Sequence, residues 1–187
     1  MDNQLVRRCS FLNNSWFIVL QKAVAFWAAF FILKQQFFGV FMKQAIQDFI
    51  KHKKIALIGL SHKKNKFGNY AYKELTARGY SLYPIHPTEK EIDGIRCYPN
   101  FPSINEKIDG VFVSVSGGKI IPILREIASA GIRNVWLQQG CESPESIEEA
   151  KGLGINLVSK KCILMYAEPV KSFHKFHRVI SNLFTRS

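Results

Sequence analysis

Along the chain, short apolar runs closed by glycine alternate with stretches in which apolar residues return every three or four positions. Ile55-Ala56-Leu57-Ile58 is too short for a helix and is closed by Gly59, which predicts a strand buried on both faces. Phe67, Ala71, Tyr72 and Leu75 then fall at helical spacing, and Gly79 closes that segment. A new strand, Tyr80–Ile85, follows and is expected to stop at Pro84 and Pro87. The same alternation continues with strands Asp109–Ser114, Arg133–Gln138 and Ile155–Ser159. Between them lie a helix over Lys119–Ala130 and another with Ser143 as N-cap and Pro144 at its first position, ending near Gly152. Smaller pieces are a turn around Asp93-Gly94 and a brief helical segment from Pro102 to Glu106. Amphipathic helices at Lys43–Lys51 and Val170–Phe184 open and close the series. Strands alternating with helices at this spacing predict an α/β fold: a doubly wound, parallel five-stranded sheet with helices on both faces and right-handed crossovers.

Residues 1–41 break the pattern. Trp16 to Val40 is rich in Phe, Trp and Ala, but Gln21-Lys22 and Lys34-Gln35-Gln36 interrupt it. Its longest apolar run, Ala23–Leu33, has 11 residues, against the roughly 20 that a spanning helix needs. Three readings stay open: an extension translated from a misplaced start, with Met42 as the real one; a membrane-surface helix with a basic flank; and packed structure. Membrane contact is expected only if this segment is a genuine part of the protein. Residues 42–187 form the expected domain.

Composition narrows the function. The 187-residue chain carries 26 Lys+Arg against 14 Asp+Glu, a formal charge of +12, which favours an anionic partner without choosing one. Nucleic acid has only this charge in its favour, since Phe173-His174-Lys175-Phe176 reads better as the face of an amphipathic helix. Cysteines at 9, 97, 141 and 162 form no CxxC pair, so reduced thiols and a cytoplasmic location are expected. His174 and His177 with Cys141 and Cys162 offer zinc-type ligands at arbitrary spacing, and no metal site is expected from them. No acyl-transfer signature surrounds either thiol.

In such a sheet, ligands bind beyond the carboxyl ends of the strands, where the strand order reverses. Gly59-Leu60-Ser61, His86-Pro87, Val115-Ser116-Gly117-Gly118, Gln138-Gln139-Gly140-Cys141 and Lys160-Lys161-Cys162 are the segments just past each strand. Glycines beside hydroxyls, with lysines at 63, 64, 66, 119, 160 and 161, suit a diphosphate. A side chain at Gly59 is expected to occupy ligand space while sparing most of the fold. A GxGxxG string is absent, and His86-Pro87 stands where an acidic residue would hold an NAD ribose, which weakens a nicotinamide reading. The bland alternative is that these glycines only make turns.

The succession Gly59-Leu60-Ser61, Lys66-Phe67-Gly68-Asn69, Tyr83-Pro84-Ile85-His86-Pro87, Gly94 with Cys97-Tyr98-Pro99, Val135-Trp136-Leu137-Gln138-Gln139-Gly140 and Cys162-Ile163 resembles the small stand-alone CoA-binding proteins. Their Rossmann-like fold is similar to the CoA-binding domain of the succinyl-CoA synthetase alpha subunit. The resemblance runs from about Lys53 to Met165, and the WxQxG segment is its most specific part. It implies that Gly59, Leu60, Ser61, Lys66, Phe67, Gly68 and Asn69 hold the diphosphate of coenzyme A or an acyl-CoA. It also implies that His86, Pro87, Val115, Ser116, Gln138, Gln139 and Gly140 flank the adenosine and pantetheine. The chain departs from the family in having His86 where Asn is usual, and Ser116-Gly117-Gly118 where Pro is frequent. A non-catalytic CoA-binding module, a sensor or carrier, is the leading expectation. The alternative is an enzyme that uses CoA or another adenine nucleotide on an unidentified substrate.

Overall fold

A computed structural model of the chain describes residues 20–30, 41–115 and 117–169. The chain divides into two units, Met1–Lys43 and Gln44–Ser187. In the first, residues 20–30 are helical and exposed. The expected closing helix Val170–Phe184, with His174 and His177, lies outside the described residues, and so does Ser116.

The second unit is the expected α/β sheet. Its parallel strands are β1 (Lys54–Ile58), β2 (Ser81–Ile85), β5 (Gly110–Val113), β6 (Asn134–Gln138) and β7 (Asn156–Lys161), in the order β2-β1-β5-β6-β7. The short strands β3 (Glu91–Ile92) and β4 (Ile95–Arg96) form an antiparallel hairpin around Asp93-Gly94, as the turn residues predict. Helix α1 covers residues 41–51, with 44–51 in this unit, and is followed by α2 (Phe67–Ala77), α3 (Ile120–Ser129) and α4 (Pro144–Gly152).

The pleat sorts the strand residues into two cores. Ala56, Val111, Val113, Val135 and Leu137 pack with Ile120, Leu124 and Ile127 of α3 and Ala150 of α4. From the other face, Trp136 stacks edge-on against Phe49 of α1, with ring centroids 5.4 Å apart, and also meets Tyr166. The strands are apolar on both faces because both are covered, which is why they read as continuous runs rather than as alternation.

Three expectations need correction. Pro84 does not stop the second strand but sits inside it, opposite Leu57, because β2 is an edge strand where a missing N–H is tolerated. The outer edge of β2 is met by Tyr98, whose N–H donates to the Pro84 carbonyl at 2.8 Å and whose carbonyl accepts from His86 N–H at 2.9 Å. The segment expected to be helical from Pro102 to Glu106 is a single 3-10 turn, Phe101–Ser103, capped by Asn100. Lys160 and Lys161, expected beyond the last strand, belong to β7. Trp136 pairs with Val158 but Gln138 with Lys161, so one extra residue bulges out and Lys160 takes a left-handed φ of 58°.

Candidate functional site

The chain leaves β1 for β2 on one side and returns to β5 on the other, so the order reverses between β1 and β5. Two loops meet there. Gly59 has φ 129°, and a Cβ built on it would lie 2.6 Å from the Ser114 carbonyl oxygen. The glycine is therefore required by the neighbouring strand end. Ligand space is not what the structure puts in the path of that Cβ, so a side chain here would disturb the sheet as well as the loop. Ser114 carries this constraint through a contact 55 residues away in sequence, where no local signal marks it.

The first turn of α2 packs directly onto this loop. A Cβ on Gly68 would fall inside the Gly59 carbonyl group, so the helix approaches the strand end as closely as backbone allows. Asn69, one residue on, spends its amide on the loop. Its Oδ1 accepts from Ser61 N–H at 3.0 Å, while Nδ2 donates to the carbonyls of Ser61 at 2.6 Å and Lys63 at 3.2 Å. Ser61 Oγ in turn accepts from Lys63 N–H at 3.3 Å. Asn69 thus shapes the loop from inside rather than reaching out from it. Leu60 is buried at 3% exposure, which leaves its backbone as the part that can face a ligand. Phe67 lies edge-on to Tyr70, with centroids 6.3 Å apart.

Helix ends tell the same story. At α4, Ser143 and Ser146 form a reciprocal capping box and Glu145 occupies the first turn, so that terminus is satisfied by its own sequence. At α2 the N-cap is Lys66, which makes no side-chain capping bond, and the first turn holds no acid. The N-cap of α3, Lys119, makes none either. The two helices that begin beside the switch point therefore present N–H groups and positive dipole ends, with basic residues at the caps. Such an arrangement accepts an anion of phosphate type. Exposed Lys63, Lys64 and Lys66 add positive charge to the same loop.

Beyond β2, His86 replaces the expected Asn without losing its local use. Its Nδ1 accepts the N–H of Glu89 at 3.1 Å, the task an Asn carbonyl performs in such a turn. His86 and Pro87, with Lys90, Arg96 and Cys97, line a pocket of about 360 Å³. His62, in the first loop, lies 3.8 Å from Glu89 and 4.0 Å from Asp93, and so spans the gap to this pocket's rim. The sequence singled out neither His62 nor Glu89, and marked Asp93 only as a turn residue. Burial pushes the Cys97 thiol above its ordinary pKa, and Glu89 adds to this.

In the WxQxG segment the Trp136 and Gln138 side chains are engaged within the protein. The Trp136 indole N–H donates to the Lys161 carbonyl at 3.1 Å, and Gln139 N–H donates to the same oxygen at 3.3 Å. Gln138 is buried, and its Oε1 accepts Ile163 N–H at 3.3 Å. These residues fasten the end of the bulged strand to β6. The Gln138 side chain is turned into the protein, whereas Gln139 and Gly140 are exposed. Gly140 N–H donates to the Glu142 carboxylate at 3.0 Å. Val115 is half-buried against the α3 side of the core. Burial, followed by Glu142, raises the pKa of the Cys141 thiol.

Comparison with known proteins places this fold among known families. The family described as CoA binding domain matches residues 53–168. The acetate–CoA ligase (ADP-forming) I of Archaeoglobus fulgidus is 28% identical over 138 residues, which cover 68% of this chain and 20% of the ligase. The chain thus corresponds to about a fifth of that relative's length. The uncharacterized protein YneT of Bacillus subtilis is 25% identical over 122 residues, 65% of this chain and 90% of that protein. Among solved structures, a hypothetical protein from Pyrococcus horikoshii superposes with a TM-score of 0.61 at 29% identity, over 68% of this chain and 90% of that one.

Proposed function

The chain belongs to the CoA binding domain family, and from that premise we propose that it binds coenzyme A, free or acylated, as a module without catalysis of its own. The diphosphate rests at the β1–α2 loop and the adenosine end reaches toward the pocket beyond β2. The observation that carries this reading is the uncapped N-terminus of α2, held against Gly59 by Gly68 and framed by the loop that Asn69 braces. A diphosphate supplies the charge and acceptors which that terminus lacks from its own sequence.

Two facts support a binding role over a catalytic one. Burial raises the pKa of the Cys97 and Cys141 thiols, the opposite of the lowering that an activated nucleophile shows. The domain also makes up most of two proteins like it, with 90% of each covered, and so occurs without the remainder of a ligase.

Calorimetric titration with coenzyme A, dephospho-CoA and NAD tests the reading. Coenzyme A is expected to bind more tightly than dephospho-CoA, because its 3′-phosphate meets a segment that carries 22 Lys+Arg against 13 Asp+Glu from Met42 onward. That advantage should shrink with added salt, since the lysines concerned are exposed. In a thermal assay, ligand at one hundred times its Kd should add about 2.7 kcal/mol of stability. Equal affinity for the two CoA forms at low salt, or a preference for NAD, would overturn the assignment.

A further inference from the structure

We infer that the helical segment at 20–30 is a docking element for an anionic lipid surface, independent of the CoA site. Its residues are all exposed, including Leu20 at 60%, Val24 at 63%, Phe26 at 72%, Trp27 at 70% and Phe30 at 54%. At 100° per residue, these five large side chains fall on one half of the helix. Gln21, Lys22, Ala25, Ala28 and Ala29 fall on the other. Trp27 and Phe30 stack edge to face, with centroids 6.3 Å apart, and so form a continuous aromatic surface open to solvent. An exposed apolar face of this kind marks an interaction site.

Two observations choose lipid as the occupant. From residue 3 to residue 47 every charged residue is basic, namely Arg7, Arg8, Lys22, Lys34 and Lys43, so the sequence around the apolar face complements acidic headgroups. The face also combines Trp and Phe with small alanines opposite, a composition suited to lying at the headgroup boundary. No helix among the described residues is long and apolar enough to cross a membrane, and the proposal lays the segment along the bilayer surface.

The test is co-sedimentation of the full chain with phosphatidylcholine vesicles, with and without phosphatidylglycerol. Binding is expected only when phosphatidylglycerol is present, to fall with salt, and to drop at least about tenfold in a Trp27→Ser/Phe30→Ser double variant. A milder Trp27→Ala variant should give an intermediate loss. Retained CoA affinity in each variant keeps this result separate from the CoA site. Equal partition of parent and double variant would overturn the proposal. So would failure of the parent to bind anionic vesicles, or concentration-dependent self-association that the same substitutions abolish without any vesicle binding.

Discussion

Gly68→Ala should cost about 3 kcal/mol of stability, the upper end for overpacking a tight contact, and should abolish CoA binding. Its new methyl would fall within the Gly59 carbonyl, which is backbone and has no rotamer to retreat into. Relief requires α2 to back away from β1, although Ala71 and Leu75 of that helix are fully buried against the sheet. The anion-facing terminus would then part from the loop it completes. Gly79→Ala is the matched control. Gly79 has φ 79° but nothing within 4 Å of a built Cβ, so only the left-handed backbone penalty of about 1–2 kcal/mol applies. Urea denaturation and calorimetry on both variants separate the effects: both lose stability, and only Gly68→Ala loses the ligand.

Arg78→Met is expected to destabilise the domain by about 3 kcal/mol, as for other broken buried charge contacts. The Arg78 side chain is 2% exposed. Its Nη1 donates to the carbonyls of Leu164 at 3.0 Å and Ala167 at 2.8 Å, and Nη2 donates to Glu74 at 3.1 Å. Methionine keeps the apolar stem but leaves two buried carbonyls without their donor. The buried Nε has no partner in the parent, which already carries that cost and limits the net loss. Arg78→Lys should rescue little, because an ammonium cannot reproduce the planar fork that reaches both carbonyls and the carboxylate. A urea midpoint within error of the parent for Arg78→Met would contradict this account of how residues 163–167 are held.

The sheet was legible in the sequence because most of its strands are short apolar runs bounded on at least one side by glycine, and burial on both faces removes any competing alternation. The outermost features were not. Lys160-Lys161 read as loop because charge disfavours a strand interior, yet they lie on an edge strand, at and beside its bulge, where lysine is tolerated. Pro84 read as a stop because its missing N–H disfavours a strand interior, a cost that an edge strand escapes. Within the site, Gly59 was marked by closing the apolar run and Gly68 by the family resemblance. Their mutual contact, and the clash that Ser114 imposes, depend on packing between separate segments. Gln138 was named from its place at a strand's carboxyl end and from the resemblance, neither of which shows that its Oε1 accepts the Ile163 N–H and so turns inward. Arg78 carries no local signal of its role, because its carbonyl partners lie 86 and 89 residues further along the chain.

The central claim is that the loop braced by Asn69, together with the open end of α2, holds the ligand's diphosphate. Asn69→Ala removes one accepted and two donated hydrogen bonds from that brace, but the residue sits half-buried in the first turn of α2, outside both cores. Calorimetric titration of coenzyme A into the parent and Asn69→Ala should therefore show affinity falling at least about tenfold, equivalent to about 1.4 kcal/mol, with the melting temperature of the free protein nearly unchanged. Identical Kd values for the two proteins would contradict the claim and place the diphosphate elsewhere.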